Sequence, residues 1–376
     1  MREVVVAGAG MHKFGRFPDK TIVEIGNTAC QAALKDAGLK WRDIEAAYCG
    51  HAFQGSVVGE RIAASFGYTG IPVVNVENAC ASGSTAFLIA YQAVAGGFKD
   101  IALAVGAEKM ERRMIDVQQK GTPEVTMRLL PPPVKYALEA RRYMEEYGLT
   151  LEQLAKVSVK NHRNGCYNPY SQYQQELTIE EVLGSRMICD PLTLYQCCPS
   201  GDGAAAVVIC TDEIARRLTM SGRPLVRVAS ASLTSQAFVR GETGDPWELT
   251  VRAAKEAYEK AGVGPEDLDV IELHDCFTMA EIGHYEDFGL CARGEGMRLI
   301  HEGATELGGR IPVNPSGGLL AKGHPIGATG IAQLVELVWQ LRGEAGQRQV
   351  EGAKVGMAHT MGGASGMACS VTILAR

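Results

Sequence analysis

The chain predicts an α/β protein made of two similar halves, each with a largely parallel sheet, and three observations carry that prediction. The first is an internal repeat. ACQAALKDAGLKWRDIEAAYCGHAF, residues 29–53, reads like AAKEAYEKAGVGPEDLDVIELHDCF, residues 253–277. Aligning Ala37-Gly38 with Ala261-Gly262 also pairs Ala33 with Ala257, Asp43 with Asp267 and Ile44 with Leu268. Each copy has small and apolar residues at helical spacing, an Ala-Gly stop, and then an apolar run that begins a strand. The second observation is a pair of glycine-flanked helix starts, Cys80-Ala81-Ser82-Gly83 and Gly327-Ala328-Thr329-Gly330, each followed by a strand (100–105 and 354–358). The third is the placing of 44 glycines at turns between apolar runs, which suits tight strand-to-helix corners.

The repeat divides the chain into a first half at 1–113 and 189–220, an inserted region at 114–188, and a second half at 221–376. The insertion breaks the pattern with Pro131-Pro132-Pro133 and continues with charged helices at 135–147 and 151–160. It is expected to cap the first half as a substrate lid.

Composition narrows the function. Hydrophobic residues are 46% and charged residues 21%, the balance of a globular protein. The formal charge of −6 gives no basic footprint for nucleic acid. No apolar run reaches the roughly 18 residues of a membrane span, and no signal peptide precedes Val4, so a cytoplasmic protein is expected. Eleven cysteines without framework spacing fit a reducing compartment, and no CxxC pair suggests zinc.

Four segments concentrate the chemistry. VVNVENACASG, residues 73–83, runs from a strand into a helix and sets Cys80 on the corner. A helix N-terminus there lowers a thiol pKa and leaves backbone N–H groups free for an oxyanion. NPSGGLLAKGHPIGATG, residues 314–330, holds His324 in a loop of close backbone approaches. The repeat sets this corner opposite Cys80, and a nucleophilic cysteine needs such a base. His274-Asp275-Cys276-Phe277 and His359-Thr360-Met361-Gly362-Gly363 both follow apolar strands, where parallel sheets bind ligands. His12, His51, His162, His284 and His301 lack a motif and read as structural, as do Cys30, Cys210 and Cys369. The opening glycines Gly8, Gly10 and Gly15 are misplaced for a dinucleotide fingerprint.

Together, NACASG (78–83), HDCF (274–277), GGLLAKGHPIGATG (317–330) and CCPSGDGAAAVVI (197–209) resemble the thiolase family, in its sterol-carrier-protein and archaeal types, over nearly the whole chain. The resemblance implies the thiolase-like fold, layered α-β-α-β-α with an inserted loop domain. It also implies reversible cleavage of a 3-oxoacyl-CoA through an acyl-cysteine, with coenzyme A as substrate and no bound cofactor or metal. Cys80 matches the nucleophile and His324 its activator. His274 stands where many thiolases carry an asparagine that positions a water. His359 stands at the place of the family's usual second cysteine, and the resemblance to the sterol-carrier type implies Cys276 as the acid/base in its stead, with His359 as the competitor for that role. The backbone of Met361, with Gly363 near it, is expected at the second oxyanion hole. CoA contacts are expected at Ser200, Arg163 and Ser316, with Lys135, Arg141 and Arg142 as further cations for its phosphates. The expected assembly is a homodimer or dimer of dimers, with a small zinc-ribbon/OB-fold protein as partner. Two rival readings are a thiolase-like retro-aldolase acting on a 3-hydroxyacyl-CoA and a non-catalytic lipid carrier or scaffold.

Overall fold

The structure, a computed structural model, describes residues 1–110, 131–218, 223–237, 248–363 and 367–376. The expected boundaries at 113/114 and 220/221, and the first part of the insertion, lie outside the described residues.

The first half contains β1 (Val4–Gly15), α1 (Ile22–Ala37), β2 (Ala46–Gly50), α2 (Val58–Ala64), β3 (Val73–Val76), α3 (Ser82–Ala95) and β4 (Ile101–Glu108). The insertion follows as α4 (Pro132–Tyr147), α5 (Leu151–Cys166), α6 (Ile179–Gly184) and a small hairpin, β5 (Met187–Cys189) with β6 (Leu192–Thr193). The chain returns through β7 (Asp202–Thr211) and α7 (Asp212–Leu218). The second half has β8 (Val226–Ser235), α8 (Glu248–Ala261), β9 (Val270–Glu272), α9 (Thr278–Asp287) and α10 (Gly296–His301). It ends with α11 (Thr329–Arg342), β10 (Val355–Gly362) and β11 (Ala368–Ala375).

The repeat is real in three dimensions. α1 and α8 both stop at a left-handed glycine, Gly38 and Gly262, each with φ 69°. Each is followed by a short 3₁₀ turn, Trp41–Asp43 or Pro265–Asp267, and then a strand, β2 or β9. The nine paired strands run β3-β2-β4-β7-β1-β8-β11-β10-β9. Read from each outer edge inward, the halves share one order, since Val313 makes a parallel bridge to Ile271 where β3 pairs with β2 in the first half. The expectation of a largely parallel sheet needs one correction. The last strand of each half, β7 or β11, inserts antiparallel between its neighbours.

Among the described residues the halves meet edge to edge at Val5↔Arg227 and Val6↔Val226. Their larger contact is α3 against α11, sandwiched between the two parts of the sheet. Both helices are buried nearly all round, as a central layer must be. Phe87, Leu88, Val94, Ile331, Leu334 and Leu337 join the strands in one core. α1 covers β1 and β7 outside, and α8 covers β8 and β11, which completes the α-β-α-β-α order.

The described helices α4 and α5 of the insertion pack on the second half rather than capping the first. Tyr136, Ala140, Leu154 and Val157 share a core with Ile271, Leu273, Met279, Ile282 and Leu319. The apolar faces of α4 and α5 find their partners in α9, α10 and the turn 318–322, all in the second half. No helix among the described residues is long and apolar enough to cross a membrane.

Candidate active site

Cys80 sits where β3 turns into α3. Ala79 takes φ 49°, a left-handed conformation that costs a side-chain-bearing residue strain. Local hydrogen bonds hold it there. Asn78 N–H donates to Ser82 Oγ (2.9 Å), Ser82 Oγ donates to the Ala79 carbonyl (2.6 Å), and Ala79 N–H donates to Glu77 Oε1 (2.7 Å). The end of β10 closes over this corner. A Cβ on Gly362 would lie 2.1 Å from the Asn78 carbonyl oxygen, so only glycine fits. The next residue, Gly363 with φ 88°, turns its N–H toward the Cys80 sulfur, and the N–H of Cys80 itself joins it. Two backbone donors thus face the sulfur.

Of the two residues expected at the second oxyanion hole, Gly363 is the one whose N–H faces the Cys80 sulfur. Met361 is a ladder residue paired with Cys369, and its thioether accepts from the Thr250 hydroxyl at 3.6 Å.

His324 enters from the second half. A single π-helical turn, Gly318–Lys322, and the left-handed glycines Gly317 and Gly318 bend the loop so that the imidazole reaches Cys80. Cys80 Sγ and one ring nitrogen each of His274 and His324 lie within 4.8 Å of one another. Thr329 donates its hydroxyl hydrogen to the Pro325 carbonyl at 3.0 Å. Its oxygen therefore accepts from His324 Nδ1, 2.7 Å away. That assigns the proton to Nδ1 and leaves Nε2 as the basic nitrogen. Burial lowers the His324 pKa to about 3, so the ring is neutral and ready to accept a proton.

Burial also pushes the Cys80 thiol up to about 12, with Cys276 nearby adding to it. The helix-corner position was expected to lower this pKa. The N–H groups of Cys80 and Gly363 do act in that direction, but desolvation outweighs them. The resting pair is thiol and neutral imidazole. Burial likewise pushes the Cys276 thiol up to about 12.

His274 stands edge-on to His324, with ring centroids 5.1 Å apart. Burial, then the neighbouring imidazoles, holds it well below the ordinary histidine value. His359 lies outside this trio. Its Nδ1 accepts the His274 N–H at 3.4 Å, and its ring packs edge-on to His284 (4.5 Å) and Phe288 (5.0 Å). The trio is also a thiol–imidazole–imidazole set of the kind that binds soft metal ions. The expectation of a metal-free site therefore rests on the resemblance alone.

Beneath the site runs a buried polar network that sequence reasoning missed. Asp275 accepts from the N–H of Leu319 (2.7 Å) and Leu320 (3.2 Å) and from Asn161 Nδ2 (2.8 Å), which pins the π turn to the HDCF strand end. Asn161 and Asn314 both donate to Glu281, which pairs with Lys160. Nothing in HDCF alone announces that its aspartate is structural. Thr329, by contrast, lay in plain view within GHPIGATG.

The expected CoA contacts divide three ways. Ser200 lines a cavity of about 600 Å3 with Arg16, Tyr173, Tyr195, Cys198 and Leu320, and accepts from Arg16 at 2.6 Å. Arg163 lies at the surface in an ion pair with Glu306 (2.8 Å). Ser316 cannot reach CoA: it is fully buried, bonded to Glu272 (2.6 Å) and Lys322 (2.8 Å). Of the other cations, Arg141 and Arg142 pair with Asp190 and Glu146, and Lys135 with Glu139.

A corner cysteine, a neutral imidazole base and paired N–H donors define a cysteine-dependent acyltransferase. Comparison with known proteins gives the family. "Thiolase, N-terminal domain" matches residues 4–213 and "Thiolase C-terminal domain-like" matches residues 234–376, so the chain belongs to the thiolase family. It is 43% identical to the acetyl-CoA acetyltransferase of Methanothermobacter thermautotrophicus, over 98% of both chains. It is 42% identical to sterol carrier protein 2 of Bos taurus, over 96% of this chain and 70% of that protein. It is 40% identical to the benzoylsuccinyl-CoA thiolase subunit BbsB of Thauera aromatica, over 96% and 95%. Among solved structures, the Ltp2-ChsH2(DUF35) aldolase superposes with TM-score 0.85 at 28% identity, covering 99% of this chain and 97% of that one. Human mitochondrial 3-ketoacyl-CoA thiolase with CoA, at TM-score 0.74 and 18% identity over 100% and 98%, shares the fold.

Proposed function

We propose that this chain cleaves a 3-oxoacyl-CoA with coenzyme A, and runs the reverse Claisen condensation, through an acyl-Cys80 intermediate. The single observation that carries this reading is the 4.8 Å grouping of Cys80, His274 and His324. In the degradative direction the Cys80 proton passes to His324 Nε2 as the sulfur attacks the 3-keto carbon. The Cα–Cβ bond breaks and its electron pair leaves as a thioester enolate. His324, now protonated, and a water held by His274 donate to the enolate oxygen. Cys276 protonates the α-carbon. The CoA thiol then gives its proton to the Cys276 thiolate and attacks the acyl-Cys80 carbonyl, whose oxygen accepts from the N–H groups of Cys80 and Gly363; acyl-CoA forms as the Cys80–acyl bond breaks, and the leaving Cys80 thiolate takes its proton back from His324.

Ser200 and Arg16 in the cavity wall are assigned to CoA, with Arg16 supplying the cation. For assembly, β3 is the edge of the sheet among the described residues, and Phe53, Val57, Tyr68 and Val74 are exposed beside or on it. A homodimer formed along that edge covers them. A small zinc-ribbon/OB-fold partner belongs to the same reading, supported by the two-component name of the aldolase neighbour. All eleven cysteines are unpaired, as a reducing cytoplasm requires.

The retro-aldolase reading is the second one, because that aldolase is the structural neighbour at TM-score 0.85. A retro-aldol cleavage forms no acyl-enzyme, so one experiment separates the two. Incubation with a 3-oxoacyl-CoA, quenched and followed by intact mass, is expected to show one acyl adduct on the peptide holding Asn78 to Gly83. An undiminished adduct in Cys80→Ser, or cleavage of 3-hydroxyacyl-CoA without any adduct, overturns the thiolase assignment.

A further inference from the structure

Cys80, His274 and His324 bring one sulfur and two ring nitrogens to a single point, all within 4.8 Å of one another. Cys80 is half-buried and gives the way in, whereas His274 and His324 are only 3% and 5% exposed. His274 Nδ1 is buried and meets no hydrogen-bond partner among the described residues. His324 is prepared differently. Its Nδ1 is committed to Thr329 Oγ1 at 2.7 Å, and that hydroxyl is itself anchored on the Pro325 carbonyl at 3.0 Å. A histidine fixed through one nitrogen and bare at the other is the usual form of a metal ligand.

We infer that these three side chains form a binding site for a soft or borderline divalent cation, with zinc as the type, and that the ion acts there as an inhibitor and not as a cofactor. One sulfur and two nitrogens suit zinc and offer nothing to magnesium or calcium, which take oxygen ligands. Around a tetrahedral zinc, donors at about 2.0–2.3 Å from the metal lie roughly 3.3–3.7 Å from each other. The 4.8 Å grouping therefore has roughly 1.5 Å at most to close, which rotation of the half-buried Cys80 side chain supplies. Binding replaces the S–H bond by a sulfur–metal bond and releases the proton to solvent. Three protein ligands leave the fourth position to water. The ion then holds Cys80 Sγ and His324 Nε2, the two atoms between which the proposed acylation moves its proton. Inhibition thus rests on the proposed function, whereas the site needs only the trio.

Cobalt(II) is the probe, because a thiolate on cobalt adds a sulfur-to-metal charge-transfer band that nitrogen ligands alone do not give. The chelator-washed full-length chain is expected to bind one cobalt with that band, and to lose it to added zinc but not to magnesium. Cys80→Ser is expected to abolish the band. His274→Ala and His324→Ala are expected to weaken binding by more than the roughly 10- to 100-fold that a lost supporting contact costs. A Cys197→Ser/Cys198→Ser double variant that keeps its circular dichroism is expected to retain the band. No cobalt bound, a band that survives in Cys80→Ser, or one that vanishes in the folded double variant overturns the inference. A second measurement needs no variant. Zinc is expected to shield Cys80 from iodoacetamide, read by mass on the peptide of residues 78–83, and EDTA to restore the labelling; labelling that zinc leaves unchanged overturns the inference. If zinc shields Cys80 but the zinc-free chain forms no acyl adduct, the metal site stands and the proposed function falls.

Discussion

The Glu108 carboxylate, at the end of β4 in the first half, accepts the Gly327 N–H of the second half at 3.0 Å. The same carboxylate accepts from Ala52 N–H (2.8 Å), Phe53 N–H (3.1 Å) and Gln54 Nε2 (2.7 Å). All four partners are donors, so Glu108 is held as the anion although burial pushes its pKa up. One buried side chain therefore ties the loop after β2 to the corner that carries His324. Glu108→Ala leaves those N–H groups buried without an acceptor and is expected to cost about 3 kcal/mol. Urea denaturation reads the loss, and Glu108→Gln, which keeps an acceptor oxygen, is expected to lose less.

The Thr329 hydroxyl assigns the His324 tautomer, which makes it separable from the base itself. Thr329→Val keeps the shape and leaves Nδ1–H without an acceptor. Acylation of Cys80 is expected to slow by about 10²-fold, within the range of general-base effects. Thr329→Ser is expected to recover most of the rate. Equal single-turnover rates in wild type and Thr329→Val count against the tautomer argument.

Cys276 and His359 compete for the second acid/base role, and the buried contacts of His359 favour Cys276. Cys276→Ala is expected to lose exchange of acetyl-CoA α-protons by ~10²–10⁴-fold while still taking an acyl group onto Cys80. His359→Ala is expected to keep measurable exchange. The reverse pattern, read by deuterium incorporation, exchanges the two roles.

Seven of the eight histidines are held below their ordinary pKa, chiefly by burial, His324 and His284 to about 3 and His162 to about 4. Unfolded, each binds a proton near pH 6.5, so below that value the unfolded chain gains protons that the folded chain refuses. Stability from these groups is present above about pH 6.5 and is lost as pH falls toward 4. Three buried carboxyls oppose this, Glu108, Glu272 and Asp275, the last raised to about 7. Three of the histidines, His162, His284 and His324, are held to about 3 or 4 and set the expected direction below pH 6.5. The melting temperature is expected to be lower at about pH 5 than at about pH 7.5, and a flat or inverted profile by calorimetry contradicts that balance.

Much of the architecture was legible because local signals and the global fold agree. Ala37-Gly38 and Ala261-Gly262 announce their helix stops, and the repeat reveals the paired halves. Cys80 and His324 were legible for the same reason, since glycine-rich corners mark close backbone approach. Tyr136, Arg16 and Asp275 were not. Arg16 reaches Ser200 across 184 residues of chain and Asp275 reaches its partners across 44 to 114, and a tyrosine on an amphipathic helix looks alike whatever it faces. The thiol acidities were misjudged because a helix corner is visible in sequence and the depth of its burial is not. The insertion was assigned to the wrong half because apolar helix faces do not name the surface they cover.

The starts of α3 and α11 meet almost head to head. A Cβ on Gly83 would lie 2.6 Å from the Gly327 carbonyl oxygen, and one on Gly330 would lie 2.7 Å from the Ser84 nitrogen. Repetition supplies two equivalent corners, and these approaches bring them into direct contact. One corner is loaded with a thiol and the other with the means to ionise it. The duplicates have become complementary tools that work only as a pair, so neither half can be inherited, exchanged or lost on its own without silencing the other.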